Sequence, residues 1–158
     1  MKFNPIAFVI NLAIPLAAGA LGSILTLTSV KTWYPTLAKP SFNPPDWLFP
    51  PVWTSLFILM GFSAYLVWQK REQVAHFPRT IAVYFIQIVL NILWSFLFFY
   101  AHSIGAALFE IFALLIAIVI NARVFYKIDK TAGLLLIPYS LWVCFATLLT
   151  YNIFILNG

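Results

Sequence analysis

The ten residues Ile111–Ile120, IFALLIAIVI, are all apolar and show no alternation with polar residues. They form the centre of a longer apolar run, Ile104–Phe125. The hydrocarbon core of a bilayer is about 30 Å thick, and a helix of about 20 apolar residues crosses it. Strands of a membrane barrel would alternate apolar and polar residues instead. We therefore predict that this run is a transmembrane helix, whose backbone polar groups pair within the segment.

Four further runs have a comparable length. Hydrophobic residues make up 63% of the 158 residues, and charged residues only 8%. Soluble domains carry about 25% charged residues, and a water-soluble fold of this size could not bury so much apolar surface. The sequence therefore predicts an all-α integral membrane bundle of five transmembrane helices, with residues 1–158 forming a single domain. The predicted spans are Ile6–Leu27, Leu48–Trp68, Thr80–Tyr100, Ile104–Phe125 and Ala132–Leu156.

The basic residues are distributed unequally between the two ends of this bundle. Short connections make neighbouring spans antiparallel, and only the first connection is long. Lys31 and Lys39 fall at the end away from the N-terminus. By the positive-inside rule the N-terminus is cytoplasmic if the chain lies in a bacterial plasma membrane, the localisation we expect. The other basic residues lie at the end that holds the N-terminus: Lys2, Lys70, Arg71, Arg79, Arg123, Lys127 and Lys130. Because the basic residues cluster at the ends of spans, the net charge of +5 does not indicate nucleic-acid binding.

The long first connection contains Trp33–Pro45, WYPTLAKPSFNPP. Its four prolines fix φ and push the residues before them towards extended geometry. We therefore predict an ordered loop between the first two helices. Two interpretations remain open: a rigid aromatic lid over a ligand site, or an interfacial loop whose aromatic side chains lie at headgroup level.

One face of the third span combines amides with aromatic residues. At spacings of four, three and four residues, this face carries Gln87, Asn91, Trp94 and Phe98. Amides within a membrane are costly unless they find partners. They either form a cavity wall that offers hydrogen bonds to a ligand, or they tie helices together, an interaction worth under about 2 kcal/mol.

Tryptophans occur on two further spans. Trp53 shares a helix face with Phe57 and Met60, and Trp142 shares one with Ala146. An indole beside a small residue leaves room for a flat guest, although aromatic residues inside bundles more often serve packing. Three helices that each contribute a tryptophan, together with the aromatic loop, favour a ligand cavity.

Glu110 is the only acid well inside a span. Ionisable residues within a membrane often mark function, but proton relays use chains of such groups. No second acid or histidine lies at helical spacing from Glu110, so we favour a close helix contact with one polar tie. His76 and His102 bracket a helix of about 30 Å and cannot share a metal. We expect neither a metal site nor a cofactor.

Prolines and small residues predict local features of the helices. Pro15 and Pro138 lie within or at the edge of spans and are predicted to kink them. Pro50-Pro51 is predicted to start the second span, because proline suits the first turn of a helix. Ala18 and Gly22 allow a close helix contact, either within the bundle or between two copies.

Several motifs follow one another in a specific order on the expected helices. They are Trp33-Tyr34, Leu37, Lys39-Pro40, Pro44-Pro45, Trp53, Asn91–Ser95 (NILWS) and Pro138–Trp142 (PYSLW). In these residues the chain resembles the TspO/MBR family, the tryptophan-rich sensory proteins that include the mitochondrial translocator protein. The resemblance runs from about Pro15 to Asn157. It implies a five-helix bundle, commonly a homodimer, with a pocket that the first loop closes.

The resemblance also implies ligands and site residues. Family members bind porphyrins such as protoporphyrin IX, haem-related tetrapyrroles, synthetic isoquinoline or benzodiazepine drugs and, in some cases, sterols. By motif position Tyr34 and Pro44 belong to the lid. The sterol pattern near the end of the fifth helix fails here, because no Lys or Arg follows Tyr151. The remaining implied pocket residues are Trp53, Asn91, Trp94, Trp142 and Ala146.

We therefore predict an integral membrane receptor or carrier for flat apolar ligands of the tetrapyrrole class. Lys39 in the lid is expected to meet the carboxylates of the ligand. Some bacterial family members degrade porphyrin in light, which would make Trp53 and Trp142 the reacting residues here. The sequence also allows transport of tetrapyrroles or sterols across the membrane, or a purely structural role. The predicted ligand-binding residues are Tyr34, Pro44, Trp53, Phe57, Asn91, Trp94, Trp142 and Ala146.

Overall fold

The predicted spans are present as helices. The computed structural model describes residues 1–158 and contains helices, turns and loops without strands. Five segments are long and apolar enough to cross a membrane, which confirms the predicted five-helix bundle. The helices are α1 (Pro5–Thr32), α2 (Phe49–Gln69), α3 (Phe77–Ser95), α4 (Ile104–Ile128), α5 (Lys130–Leu135) and α6 (Ile137–Asn157), and the fifth segment combines α5 and α6.

The prolines act differently in the first and fifth spans. Pro15 lies inside α1, which continues through it as one helix, whereas Pro138 lies in the first turn of α6. The fifth span is interrupted just before it, at Leu136. Pro50-Pro51 lies in the first turn of α2, as predicted. The first span therefore runs as a single helix, the third changes from α-helix to π-helix at Phe96–Tyr100, and the fifth is divided at Leu136.

The core lies between α2, α3, α4 and α6. Met60, Ile111 and Val143 are almost completely buried at its centre. Helix α1 packs closely on α2 at Gly61, where an added Cβ would approach the backbone of Asn11 and Leu12 to 2.8 Å. A glycine is required at this contact because no side chain fits between the two backbones.

Polar contacts tie one end of the bundle. At the end that holds the N-terminus, Lys70 Nζ lies 2.7 Å from the Asp129 carboxylate. Asp129 also caps α5, because its side chain accepts from the Ala132 N–H at 2.9 Å. Burial alone would raise the pKa of Asp129, but the hydrogen bonds from Lys70 and Ala132 outweigh it, and the pKa is lowered. The N-terminal end carries seven of the nine basic residues, and its cytoplasmic orientation stays a prediction.

Candidate ligand-binding cavity

A cavity of about 510 Å³ lies between α1, α2, α3 and α6, under the first loop. Its volume falls within the range of about 300–1,000 Å³ that is typical of ligand pockets. Pro44 does not line it and instead accepts a hydrogen bond from the Asn43 side chain at 3.2 Å. The other predicted site residues are brought together on its wall: Tyr34, Trp53, Phe57, Asn91, Trp94, Trp142 and Ala146.

Aromatic rings from separate helices form a large apolar part of the wall. Trp53 stacks on Phe57, with ring centroids 5.6 Å apart and planes at 27°. Trp94 stacks on Phe98 at 5.2 Å and 20°. Trp142 meets the Phe49 ring edge-on at 5.9 Å. These contacts hold the indoles in place, so the cavity presents preformed flat apolar surfaces.

A hydrogen-bonded chain ties α3 to α6 beside the cavity. The Asn91 Nδ2 donates to the Tyr139 hydroxyl at 2.7 Å, and this hydroxyl donates to the Gln87 Oε1 at 3.1 Å. Gln87 is fully buried and lies outside the cavity wall, whereas Asn91 lies on the wall. Gln87 therefore ties helices together, and Asn91 both ties helices and faces the cavity.

Two indole N–H groups on the wall have no partner. The Nε1 atoms of Trp94 and Trp142 are buried and form no hydrogen bond within the chain. Most buried polar groups in proteins are paired, because an unpaired one loses its bonds to water without replacement. Each of these two cavity-lining indoles therefore carries one donor that has no partner within the chain.

The first loop is held down by contacts at several points. Tyr34 is buried and donates from its hydroxyl to the Asn43 Oδ1 at 3.3 Å. Burial raises the pKa of this hydroxyl. Trp33 stacks on the His102 ring, with centroids 4.1 Å apart and planes at 11°. Of the two interpretations of this loop, these contacts favour the rigid lid. Tyr34 lies on the side of the lid that faces the cavity.

The charges near the cavity differ from the expected ones. Lys39 lies over the Tyr34 ring, 4.6 Å from its centroid, and does not line the cavity. The charged residues on the wall are Lys31, in the last turn of α1, and Asp46. Lys31, and not Lys39, is therefore the cation on the cavity wall.

Helix α1 supplies a wall that sequence reasoning missed. Gly19, Gly22, Ser23 and Thr26 line the cavity at helical spacing. Their spacing of three or four residues was the available signal, although the same pattern fits a contact between helices. Gly22 also faces Ser95 of α3, where an added Cβ would lie 3.4 Å from the hydroxyl. The small residues of α1 thus pack inside the bundle and leave room for the cavity.

Glu110 does not form the predicted polar tie. Its side chain is buried in α4, and neither carboxyl oxygen has a hydrogen-bond partner. It also lies outside the cavity wall. Ala106 and Ala113, at helical spacing from Glu110, are exposed, so the close helix contact expected on this face of α4 is absent as well.

The fold and the cavity together define a class of protein: a five-span membrane bundle with tryptophans around a cavity under an ordered loop. The sequence profile of the TspO/MBR family matches residues 11–156. This chain belongs to the TspO/MBR family and is a multi-pass integral membrane protein.

Named relatives cover nearly the whole chain. The tryptophan-rich protein TspO of Archaeoglobus fulgidus is 41% identical over 98% of this chain and 99% of the relative. The tryptophan-rich protein TspO of Chlorobaculum tepidum is 44% identical over 90% of each chain. The human translocator protein is 36% identical over 75% of this chain and 71% of the relative. The resemblance seen in the motifs is therefore confirmed.

Proposed function

We propose that the tryptophan-lined cavity binds a flat apolar ligand of the porphyrin class, which makes the protein a membrane receptor or carrier. The observation that carries this proposal is the pair of buried, unpartnered indole N–H groups of Trp94 and Trp142 on an apolar wall. Stacked aromatic surface supplies most of the affinity for such a guest, and a few polar groups orient it.

The lining of the cavity suits both parts of a porphyrin, the macrocycle and its carboxylates. The macrocycle is flat and apolar, and it matches the aromatic wall around Trp53 and Trp142. Porphyrin side-chain carboxylates are acceptors, which the indole N–H groups and the Lys31 ammonium can bind. Lys31 lies at the end of α1 next to the lid, so we expect one carboxylate there.

A titration with protoporphyrin IX tests this proposal. Purified protein in detergent is titrated and the porphyrin Soret band is followed, so that the readout does not depend on the tryptophans. We expect the Trp53→Phe, Trp142→Phe double variant to bind about tenfold more weakly, because each aromatic contact contributes about 0.5–1.5 kcal/mol. The matched control is Trp68→Phe, outside the cavity. Unchanged affinity in the double variant would contradict the proposal.

A second candidate function is light-dependent breakdown of bound porphyrin by molecular oxygen. It is favoured by the position of Trp53 and Trp142 on the same wall, where both indoles would contact the macrocycle. An indole would pass one electron to the photoexcited porphyrin, which passes it on to O2, and the indole radical would then take an electron back from the macrocycle, so that the porphyrin is oxidised and the O2 reduced. Illumination should then bleach the Soret band faster with wild-type protein and with Trp68→Phe than with free porphyrin. Equal bleaching with and without protein would reject this candidate.

We also infer that the chain forms a homodimer in the bilayer, as the family resemblance implies. Ala18 is buried, and Gly22 faces Ser95 of α3 within the same bundle. The contact is therefore expected on the lipid-facing surface. The mass of the detergent-solubilised protein from light scattering, corrected for bound detergent, distinguishes a dimer from a monomer.

A further inference from the structure

A second cavity, the basic-end groove, lies at the end of the bundle that holds the N-terminus. Its volume is about 390 Å³, and its walls come from α1, α2 and α3, with Phe125 of α4. It shares no lining residue with the tryptophan-lined cavity. The groove is therefore a separate space of a size that binds ligands.

The rim of the basic-end groove is apolar and open to the bilayer. Ile6, Ile10 and Phe85 line it and are 73%, 52% and 41% exposed. On a transmembrane helix such side chains face lipid tails, since they fall within the hydrocarbon region. An occupant with a hydrocarbon chain can therefore enter from the side without crossing water.

One buried polar group lies in the wall of this groove. Tyr84 is only 5% exposed, and its ring stacks on Phe125 at 5.7 Å and 23°. Its hydroxyl is buried and has no hydrogen-bond partner. Side chains on a helix lean towards its N-terminus, so we expect this hydroxyl on the side of Tyr84 that faces the start of α3, the basic end. A residue of the groove wall thus carries one donor that has no partner within the chain.

Two exposed basic residues lie close in the chain to residues that line the groove. Lys2 lies two residues before Asn4, and Arg79 directly precedes Thr80; both neighbours line the groove. The ion pairs in the chain are Lys70 with Asp129 and Arg71 with Glu72, so Lys2 and Arg79 are unpaired. Basic side chains at a membrane surface attract anionic lipid headgroups. The charge of these two residues therefore complements a negatively charged lipid.

We propose that the basic-end groove binds one anionic phospholipid of the surrounding bilayer. One acyl chain lies along the apolar wall, and an ester carbonyl of the lipid accepts from the Tyr84 hydroxyl. The phosphate lies between Lys2 and Arg79. A neutral phospholipid would keep the chain and ester contacts but lack the favourable charge, and a soluble phosphate would lack the chain.

Trp68 lines the groove and reports on its occupancy. Purified protein in detergent is titrated with phosphatidylglycerol or phosphatidylcholine that carries brominated acyl chains, which quench nearby indoles. Trp68→Phe identifies the part of the quenching that arises in the groove. We expect this part of the quenching to appear at a lower concentration of phosphatidylglycerol than of phosphatidylcholine. An excess of glycerol 3-phosphate should not reverse it. Quenching that is identical in Trp68→Phe, or reversal by glycerol 3-phosphate, would overturn the proposal.

A pair of charge-matched double variants tests the headgroup contact. Lys2→Gln with Arg79→Gln should weaken phosphatidylglycerol binding roughly fivefold for each charge removed and leave phosphatidylcholine binding unchanged. The control is Lys127→Gln with Arg123→Gln, which removes the same charges at the same end. Both control residues lie two positions from Phe125 and therefore on the opposite face of α4. Equal losses in the two double variants would reject a localised headgroup site.

The ester contact has its own test. Tyr84→Phe keeps the shape of the wall and removes a hydroxyl that has no partner within the chain. We expect it to weaken binding of ester-linked phosphatidylglycerol about two- to tenfold. Ether-linked phosphatidylglycerol lacks the carbonyl, so its affinity should be equal in wild type and Tyr84→Phe. A loss of the same size for both lipids would exclude the proposed hydrogen bond.

Discussion

Asn157 and Ala38 form a reciprocal pair of hydrogen bonds across the long first loop. The Ala38 N–H donates to the Asn157 Oδ1 at 2.9 Å, and the Asn157 Nδ2 donates to the Ala38 carbonyl at 2.9 Å. The last turn of α6 thereby holds the loop that closes the tryptophan-lined cavity. Trp142 of the cavity wall lies on the same helix, so α6 both lines the cavity and holds the loop that covers it.

Removing the Asn157–Ala38 hydrogen bonds, which clamp the first loop to α6, should loosen this loop without unfolding the bundle. We expect Asn157→Ala to speed release of protoporphyrin IX several-fold, because two bonds of about 0.5–1.5 kcal/mol each are lost. Stopped-flow displacement measures the release rate. Asn152→Ala is the control, since the Asn152 side chain bonds only to the Leu148 carbonyl of its own helix. Equal release rates for both variants would show that the clamp does not hold the lid.

Tyr139 is expected to be the most sensitive polar position in the bundle. Its hydroxyl accepts from Asn91 and donates to Gln87, so Tyr139→Phe leaves two buried amides without this partner. We expect a loss of about 1–3 kcal/mol in the free energy of unfolding in detergent. Tyr100→Phe, at an exposed position, should change it little. A Tyr139→Phe protein as stable as wild type would contradict this role.

The fold and much of the candidate site follow from the sequence for identifiable reasons. Apolar length alone predicts the spans, and helical spacing places Trp53 with Phe57 and Asn91 with Trp94. The position of Lys31 and the missing partner of Glu110 could not be predicted in this way. They depend on how helices rotate against one another, which spacing within a single helix does not determine.

The close contact of α1 with α2 predicts a steric penalty at Gly61. An added methyl group would meet the backbone of Asn11 and Leu12, which cannot move aside as a side chain can. We expect Gly61→Ala to lower the free energy of unfolding by about 1–3 kcal/mol. Gly105→Ala is the control, because its added Cβ would meet only the Phe154 side chain, at 3.3 Å. Similar stability of both variants would argue against a backbone contact at Gly61.

The Lys70–Asp129 pair predicts a dependence of stability on pH. The pKa of Asp129 is lower in the folded chain than its ordinary value of 3.8. A lowered pKa means that the carboxylate stabilises the folded state above this ordinary value and that the contribution is lost as the pH falls through the folded-state pKa. Asp129→Asn keeps a side chain that can cap α5 but removes the charge.

The difference in unfolding free energy between wild type and Asp129→Asn should therefore be constant near neutral pH and shrink below about pH 4. Chemical denaturation in detergent at a series of pH values measures it. Glu72→Gln is the matched control, since the Glu72 side chain is 86% exposed and its contact with Arg71 is long, at 3.5 Å. Such exposed pairs contribute about 0–1 kcal/mol, so this control should show no comparable pH-dependent difference. A wild-type advantage over Asp129→Asn that persisted at pH 2 would show that it does not arise from the ionised carboxylate.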